Sequence, residues 1–123
     1  MVDQGGIVAS TECIFCRIVA GDVPAQVVRE DEHTLAFRDI NPQAPTHVLV
    51  IPKRHVAAVD ALEDDDVELI GRVVLAARLV ARQEGIARSG YRLVMNNGPA
   101  AGQTVDHLHL HVLGGRQMDW PPG

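Results

Sequence analysis

The sequence lacks a long apolar segment, a basic leader and an excess of positive charge. No apolar run approaches the roughly 20 residues of a membrane-spanning helix. The first residues, MVDQGGIVAST, lack the basic start and apolar stretch of a signal peptide. The net charge of −5 argues against nucleic-acid polymers and anionic membranes as partners, because both select basic surfaces. We therefore expect a cytoplasmic protein, and a small phosphate ligand stays compatible with this charge.

Cysteine is also scarce. Cys13 and Cys16 are the only two, and they form a single C-x-x-C motif. In a reducing compartment this spacing indicates half of a metal site or a redox pair rather than a structural disulfide. The alternative is a pair of buried thiols with no further role.

The chain has the size and composition of one domain. Its 123 residues are 46% hydrophobic, enough for a sizeable core. Residues 1–10 are polar and unpatterned, so we expect a flexible tail before a single domain at 11–123. Alternation and turn residues predict strands at 26–30, 34–38, 47–52, 91–96 and 106–113.

One long helix is predicted at about 66–84, where apolar residues recur at a spacing of three to four. Acidic residues 63–66 precede it, Asp65 with Glu68 approximates a capping box, and Gly85 fits its end. The apolar face is wider than one sheet requires. We therefore expect burial against a sheet and a second subunit, within an α+β fold built on an antiparallel sheet.

The stretch D-H-L-H-L-H-V-L at 106–113 concentrates half of the six histidines. Side chains alternate between the faces of a strand, so His107, His109 and His111 should share one face, about 7 Å apart. Three interpretations compete: a structural row, zinc ligands, or a nucleophilic or acid–base site for phosphorus chemistry. The preceding loop, NNGPAAGQT at 96–104, offers N–H groups and a hydroxyl that can hold a phosphate, which favours the third.

Three runs together resemble the histidine triad (HIT) superfamily over residues 12–123. They are C-I-F-C-R-I, then A-F-R-D-I-N-P-Q-A-P-T-H-V-L-V-I-P-K-R-H, then G-Q-T-V-D-H-L-H-L-H-V-L-G-G-R-Q-M-D-W-P-P-G. The last is similar to the Hint branch. The resemblance implies a HIT-like fold with about five antiparallel strands, one long and one short helix, and a homodimer. It also implies that each C-terminus runs toward the partner's active site.

The resemblance implies a nucleotide-binding hydrolase that cleaves the P–N bond of purine nucleoside 5′-phosphoramidates. His109 would be the nucleophile and carry a nucleotidyl intermediate. His111 would contact the phosphate, and His107 and His47 would support the row. Two alternatives stay open: a dinucleoside polyphosphate hydrolase or phosphorylase, and a nucleotide-binding regulatory protein.

The resemblance also implies a nucleotide site and a metal site. Asp39 would bind the ribose hydroxyls, Asn96 would lie near sugar and phosphate, and the phosphate loop would comprise Gly102, Gln103 and Thr104. An apolar pocket, which does not discriminate adenine from guanine, would hold the base between Ile14, Phe15, Ile18, Val23, Phe37 and Ile40. No cofactor is expected in catalysis, but a structural zinc would bind Cys13, Cys16, His55 and His107.

Overall fold

The computed structural model describes residues 12–123, so the expected flexible tail at 1–10 lies outside the described residues. Two helices and five strands follow the order α1 (Ile14–Ala20), β1 (Val27–Glu30), β2 (Thr34–Arg38), β3 (Thr46–Pro52), α2 (Val67–Gln83), β4 (Tyr91–Val94) and β5 (Leu110–Gly114). Every neighbouring pair of strands is antiparallel, in the order β1-β2-β3-β5-β4. The predicted α+β fold with five strands, a long helix and a short helix is confirmed.

The sheet is covered on both faces, and β3 is therefore buried along its whole length. Val48 and Val50 face α2, where they pack with Val73, Ala77 and other buried residues of the helix. The alternate residues Leu49 and Ile51 face the α1 side, where they pack with Phe15, Leu35 and Phe37. Leu49 pairs with His111 across the ladder, so the histidine of β5 lies on the α1 side of the sheet.

The residues that cap α2 differ from the predicted ones, although the helix itself begins within one residue of the prediction. A 3-10 turn at Asp64–Asp66 precedes the helix, and the capping box is formed by Glu63 and Asp66 instead of Asp65 and Glu68. Asp66 is buried and accepts both the Glu63 N–H and an Arg54 N–H, whereas Asp65 is exposed. The predicted end is confirmed, because Gly85 follows the helix with a φ of +76°.

The histidine segment is only partly a strand. β5 begins at Leu110, so His107 and His109 precede the ladder instead of belonging to a strand from residue 106. The physical reason is a change of partner, since the Leu108 N–H donates to the Val56 carbonyl in the loop after β3. The apolar alternation nevertheless persists, and Leu108, Leu110 and Val112 are all buried.

The other strand limits agree with the predictions within a residue or two, β4 ending at Val94 instead of 96. Among residues 12–123, none of the helices combines the length and the apolar character that crossing a membrane requires.

Candidate active site

Three imidazoles lie together on the α1 side of the sheet. The ring centroids of His109 and His111 are 5.0 Å apart, and those of His111 and His47 are 5.2 Å apart. Phe15 from α1 packs edge-on against His109 at 5.2 Å. The structure thus brings together two histidines from the triad segment and one from β3.

The orientation of His109 assigns its tautomer. Its Nδ1 lies 2.7 Å from the main-chain carbonyl oxygen of His107. A carbonyl oxygen only accepts hydrogen bonds, so Nδ1 must carry the proton and donate it. In the neutral ring Nε2 then holds a lone pair, which is the arrangement a nucleophilic histidine needs.

A second chain of hydrogen bonds assigns His47 and His111. The main-chain N–H of Gln43 donates to Nδ1 of His47 at 3.0 Å, so the proton of His47 lies on Nε2. That Nε2 is 2.9 Å from Nδ1 of His111 and donates to it. The remaining nitrogen of His111, Nε2, consequently carries a proton that it can donate to an anionic oxygen.

Burial keeps His111 and His47 neutral near pH 7. It lowers the pKa of His111 to about 4, and the neighbouring His109 and His47 lower that pKa further because two adjacent imidazolium ions repel. Burial also lowers the pKa of His47, against the opposing effect of the Asp39 carboxylate. The tautomers assigned to His47 and His111 require neutral rings, so the lowered pKa values agree with the hydrogen-bond geometry.

Asp39 stands beside the row at the end of β2. One carboxylate oxygen accepts the Asn41 N–H at 2.8 Å, so this side chain caps the turn after β2. The other lies 3.4 Å from Nε2 of His47. A surface groove at this position is lined by Arg38, Ile40 and Pro42 as well. The ribose contact of Asp39 stays a prediction.

The side chain of Gln103 stabilises the predicted phosphate loop. Gln103 accepts the Gly98 N–H and donates to the carbonyls of Ala57 and Val105, so its side chain shapes the loop. Gly102 has a φ of +88°, which favours glycine. Thr104 is exposed and lines a groove beside Cys13, and Asn96 is half-buried just after β4.

The six residues of the predicted base pocket do not form one cavity. Phe15 and Phe37 are buried core residues with ring centroids 5.4 Å apart. Ile18 and Val23 line one groove, and Ile14 lines another. Ile40 is fully exposed, at 102% of its reference area, on the rim of the Asp39 groove. For the three residues on α1, Ile14, Phe15 and Ile18, the helical rotation between successive side chains explains the different surroundings.

The cysteines and two histidines form a compact metal-ligand cluster. Nδ1 of His55 lies 3.2 Å from Nδ1 of His107 and 3.2 Å from Cys16 Sγ. Cys13 Sγ and Cys16 Sγ lie 3.5 and 3.6 Å from Nδ1 of His107. A tetrahedral zinc with ordinary bond lengths separates its ligand atoms by about 3.3–3.8 Å, so the four side chains fit the ion.

The tautomer of His107 also fits. Its Nε2 lies 2.8 Å from the Pro52 carbonyl and must donate to it, which leaves Nδ1 unprotonated and directed at the cluster. Burial lowers the pKa of this ring to about 4, in agreement with a neutral ligand. The side chain of His107 therefore belongs to the metal cluster, and residue 107 reaches the catalytic row through its main-chain carbonyl.

Sequence reasoning missed two main-chain groups that organise the site. They are the N–H of Gln43, which sets the tautomer of His47, and the carbonyl of Pro52, which sets that of His107. Every residue carries such groups, so no side-chain pattern marks them. The only available signal was the position of Gln43 and Pro52 beside predicted site residues.

Comparisons with known proteins agree with this geometry. The family model described as the HIT domain matches residues 20–118. A 14 kDa zinc-binding protein of Zea mays is 51% identical over 112 residues, 89% of this chain and 87% of that protein. A HIT family hydrolase of Legionella pneumophila superposes with a TM-score of 0.89 at 54% identity, covering 91% of this chain and 100% of that one. A Zn-bound histidine triad family protein of Mycobacterium smegmatis gives a TM-score of 0.77 at 37% identity, covering 89% and 78%.

Proposed function

The chain belongs to the HIT domain family, and from that premise we propose that it is a hydrolase acting on the phosphorus of a nucleotide. Two solved relatives are named HIT family hydrolases, which supports the reaction class. The observation that carries the proposal is the pair of assigned tautomers. Nε2 of His109 offers a lone pair, and Nε2 of His111 offers a proton.

The proposed substrate is a purine nucleoside 5′-phosphoramidate. Nε2 of His109 attacks the α-phosphorus, the P–N bond breaks, and the leaving nitrogen takes a proton from solvent and departs as an amine. The Nε2–H of His111 donates a hydrogen bond to a phosphate oxygen as charge develops there and keeps its proton. Water then breaks the His109–phosphorus bond, which releases the nucleoside monophosphate and returns the neutral ring. This choice of substrate rests on the resemblance to the Hint branch, which none of the relatives' names states.

The groove at Asp39 is the proposed nucleoside site. It adjoins His47, and the exposed side chain of Ile40 offers an apolar surface on which a base can pack. Asp39 has a second oxygen directed toward His47 and free of the Asn41 contact, which a ribose hydroxyl can share. In this proposal the ribose lies beside the histidine row, and the choice of purine is left to experiment.

Parallel assays test the reaction. Purified protein is incubated with adenosine 5′-phosphoramidate and with a diadenosine polyphosphate, and AMP release is followed by chromatography. We expect AMP from the first substrate alone, and none from His109→Asn, which retains bulk without an imidazole. Release from the polyphosphate alone would establish the alternative activity. Turnover by His109→Asn equal to wild type would refute the nucleotidyl-histidine intermediate.

We also propose a homodimer formed through α2. The helix also exposes large apolar side chains that lie outside the core, with Val67 at 72%, Leu75 at 54%, Val74 at 43% and Leu79 at 37% exposure. Exposed apolar side chains interspersed with arginines on one helix are typical of an interface with a second subunit. Trp120 in the C-terminal segment is likewise 83% exposed, as expected for a side chain that contacts a partner.

Sedimentation velocity at micromolar concentration should give a dimer, and Leu75→Glu should give a monomer, with the exposed Gln83→Glu on the same helix as the charge-matched control. Truncation after Met118 should alter substrate preference more than stability. A monomeric wild type would contradict the interface.

A cytoplasmic location is the remaining proposal. Cys13 and Cys16 are reduced in the structure, and a reducing compartment keeps thiols in the state that zinc requires. Fractionation of cells with an antibody to the chain tests this location directly.

A further inference from the structure

The metal cluster and the catalytic row share residue 107. Its Nδ1 faces the two cysteines, and its Nε2 is held by Pro52. Its main-chain carbonyl accepts the Nδ1 proton of His109. The side chain is fully buried, so any displacement of this ring also displaces the protein atoms packed around it. One residue thus connects the cysteine sulfurs to the nucleophile.

A second connection runs through α1. Phe15 lies between the two cysteines in the C-I-F-C turn, and its ring packs edge-on against His107 at 5.9 Å and His109 at 5.2 Å. Any rearrangement of the turn that moves Cys13 relative to Cys16 therefore also moves a ring that contacts the nucleophile.

The two cysteines have the geometry of a redox pair. Cys13 caps the first turn of α1, and the Cys16 N–H lies 3.4 Å from its sulfur. The two sulfurs belong to a set of ligand atoms that all lie within 4.8 Å of one another. Cys13 is half-buried and lines a surface groove, through which a small oxidant can reach it.

We propose that His107 is a positioning residue that makes the hydrolysis depend on the redox state of Cys13 and Cys16. This inference rests on the proposed function. Hydrogen peroxide oxidises the two metal-bound thiolates to one disulfide. The sulfurs lose two electrons, peroxide and two protons become two water molecules, and the zinc ion leaves as Zn²⁺. His55 and His107 then lose the ion that orients them, and the carbonyl that holds His109 loses its support.

The expected effect is on the chemical step more than on substrate binding. Removing a group that orients an active-site histidine costs about 10–100-fold in activity, so kcat should fall by that factor while KM changes little. Reduction with dithiothreitol and addition of zinc should restore kcat. The Asp39 groove lies apart from the cysteine groove, so nucleotide affinity should persist.

The test follows four quantities in zinc-loaded protein during a peroxide titration. They are zinc release by a colorimetric chelator, disulfide formation as a 2 Da loss of mass, kcat, and the tautomer of His109 by two-bond ¹H–¹⁵N spectra. We expect all four to change together. Cys13→Ser forms no intramolecular disulfide but retains Met95 and Met118. Each protein is scored by the fraction of its own starting activity that peroxide removes.

The outcomes separate the inference from the proposed function. If wild type loses activity and Cys13→Ser does not, the inference is supported. Equal loss in both would assign the damage to other side chains, and unchanged kcat in the zinc-free disulfide form would overturn the coupling. If the reduced, zinc-loaded protein hydrolyses no phosphoramidate, the proposed function fails. The His109 spectra then decide the coupling alone, and an unchanged tautomer and line shape on oxidation would refute it.

Discussion

The hydrogen bond between His47 and His111 gives the sharpest prediction about the site. His47 has 4% side-chain exposure, and its Nε2 is the partner of His111 Nδ1 at 2.9 Å. In His47→Leu this half-buried acceptor loses its donor. Leaving a buried polar group unpaired costs about 1–3 kcal/mol. If that cost falls on the transition state, kcat/KM decreases about 5- to 150-fold, since 1.36 kcal/mol corresponds to a factor of ten.

A matched variant separates hydrogen bonding from packing. His47→Gln places an amide N–H close to the position of the imidazole Nε2, so it should still donate to His111 and retain more of the activity than His47→Leu. Steady-state kinetics with the phosphoramidate measures the difference, and thermal unfolding of both variants monitors the fold. Equal impairment of the two variants at equal stability would refute the assigned tautomers.

Three further predictions concern binding, packing and pH. Asp39→Ala should weaken AMP binding in calorimetry by about 1–3 kcal/mol, and removal of both ribose hydroxyls from the ligand should then cost little more; equal discrimination by the two proteins would exclude the ribose contact. Gly114→Ala should destabilise the fold by about 1–3 kcal/mol in chemical denaturation, because the new Cβ would lie 2.5 Å from Cδ1 of Ile86. Ile86→Val lacks that Cδ1 atom, so adding it to Gly114→Ala should recover part of the lost stability. The pKa of His111 is about 4 and that of His47 is also below the usual 6.5, so the unfolded chain binds protons between about pH 4 and 6.5 that the native protein does not. Stability should therefore fall as the pH falls through this range, and a melting temperature that rises on acidification would contradict the neutral row.

The sequence predicts the elements of this fold well because their periodicity is strong. Strands β1 to β3 and helix α2 begin and end within about two residues of expectation. The predicted start of β5 was wrong. A strand extends only as far as its partner strand stays within hydrogen-bonding distance, and here that depends on the path of the loop after Pro52. Alternation in the sequence continues past this point and does not reveal it.

The side chains of the site were also easier to predict than their roles. The histidine row and the C-x-x-C motif are visible in the sequence, but the division of labour among the histidines follows from main-chain carbonyls and N–H groups. Gln103 is a second residue whose role could not be read from the sequence alone. The resemblance implied a place in the phosphate loop, and the structure adds that its amide satisfies three main-chain groups, one of them the Ala57 carbonyl in the loop after β3.

The division of labour along residues 107–111 has a consequence for how this gene can change. In the proposed roles, a metal ligand, a nucleophile and a phosphate donor occupy every second position of one short segment, with buried leucines between them. Deleting or inserting a single codon between His107 and His111 would exchange the two faces, sending imidazoles into the core and leucines toward the substrate. Homologous lineages should therefore show no change in length within this segment.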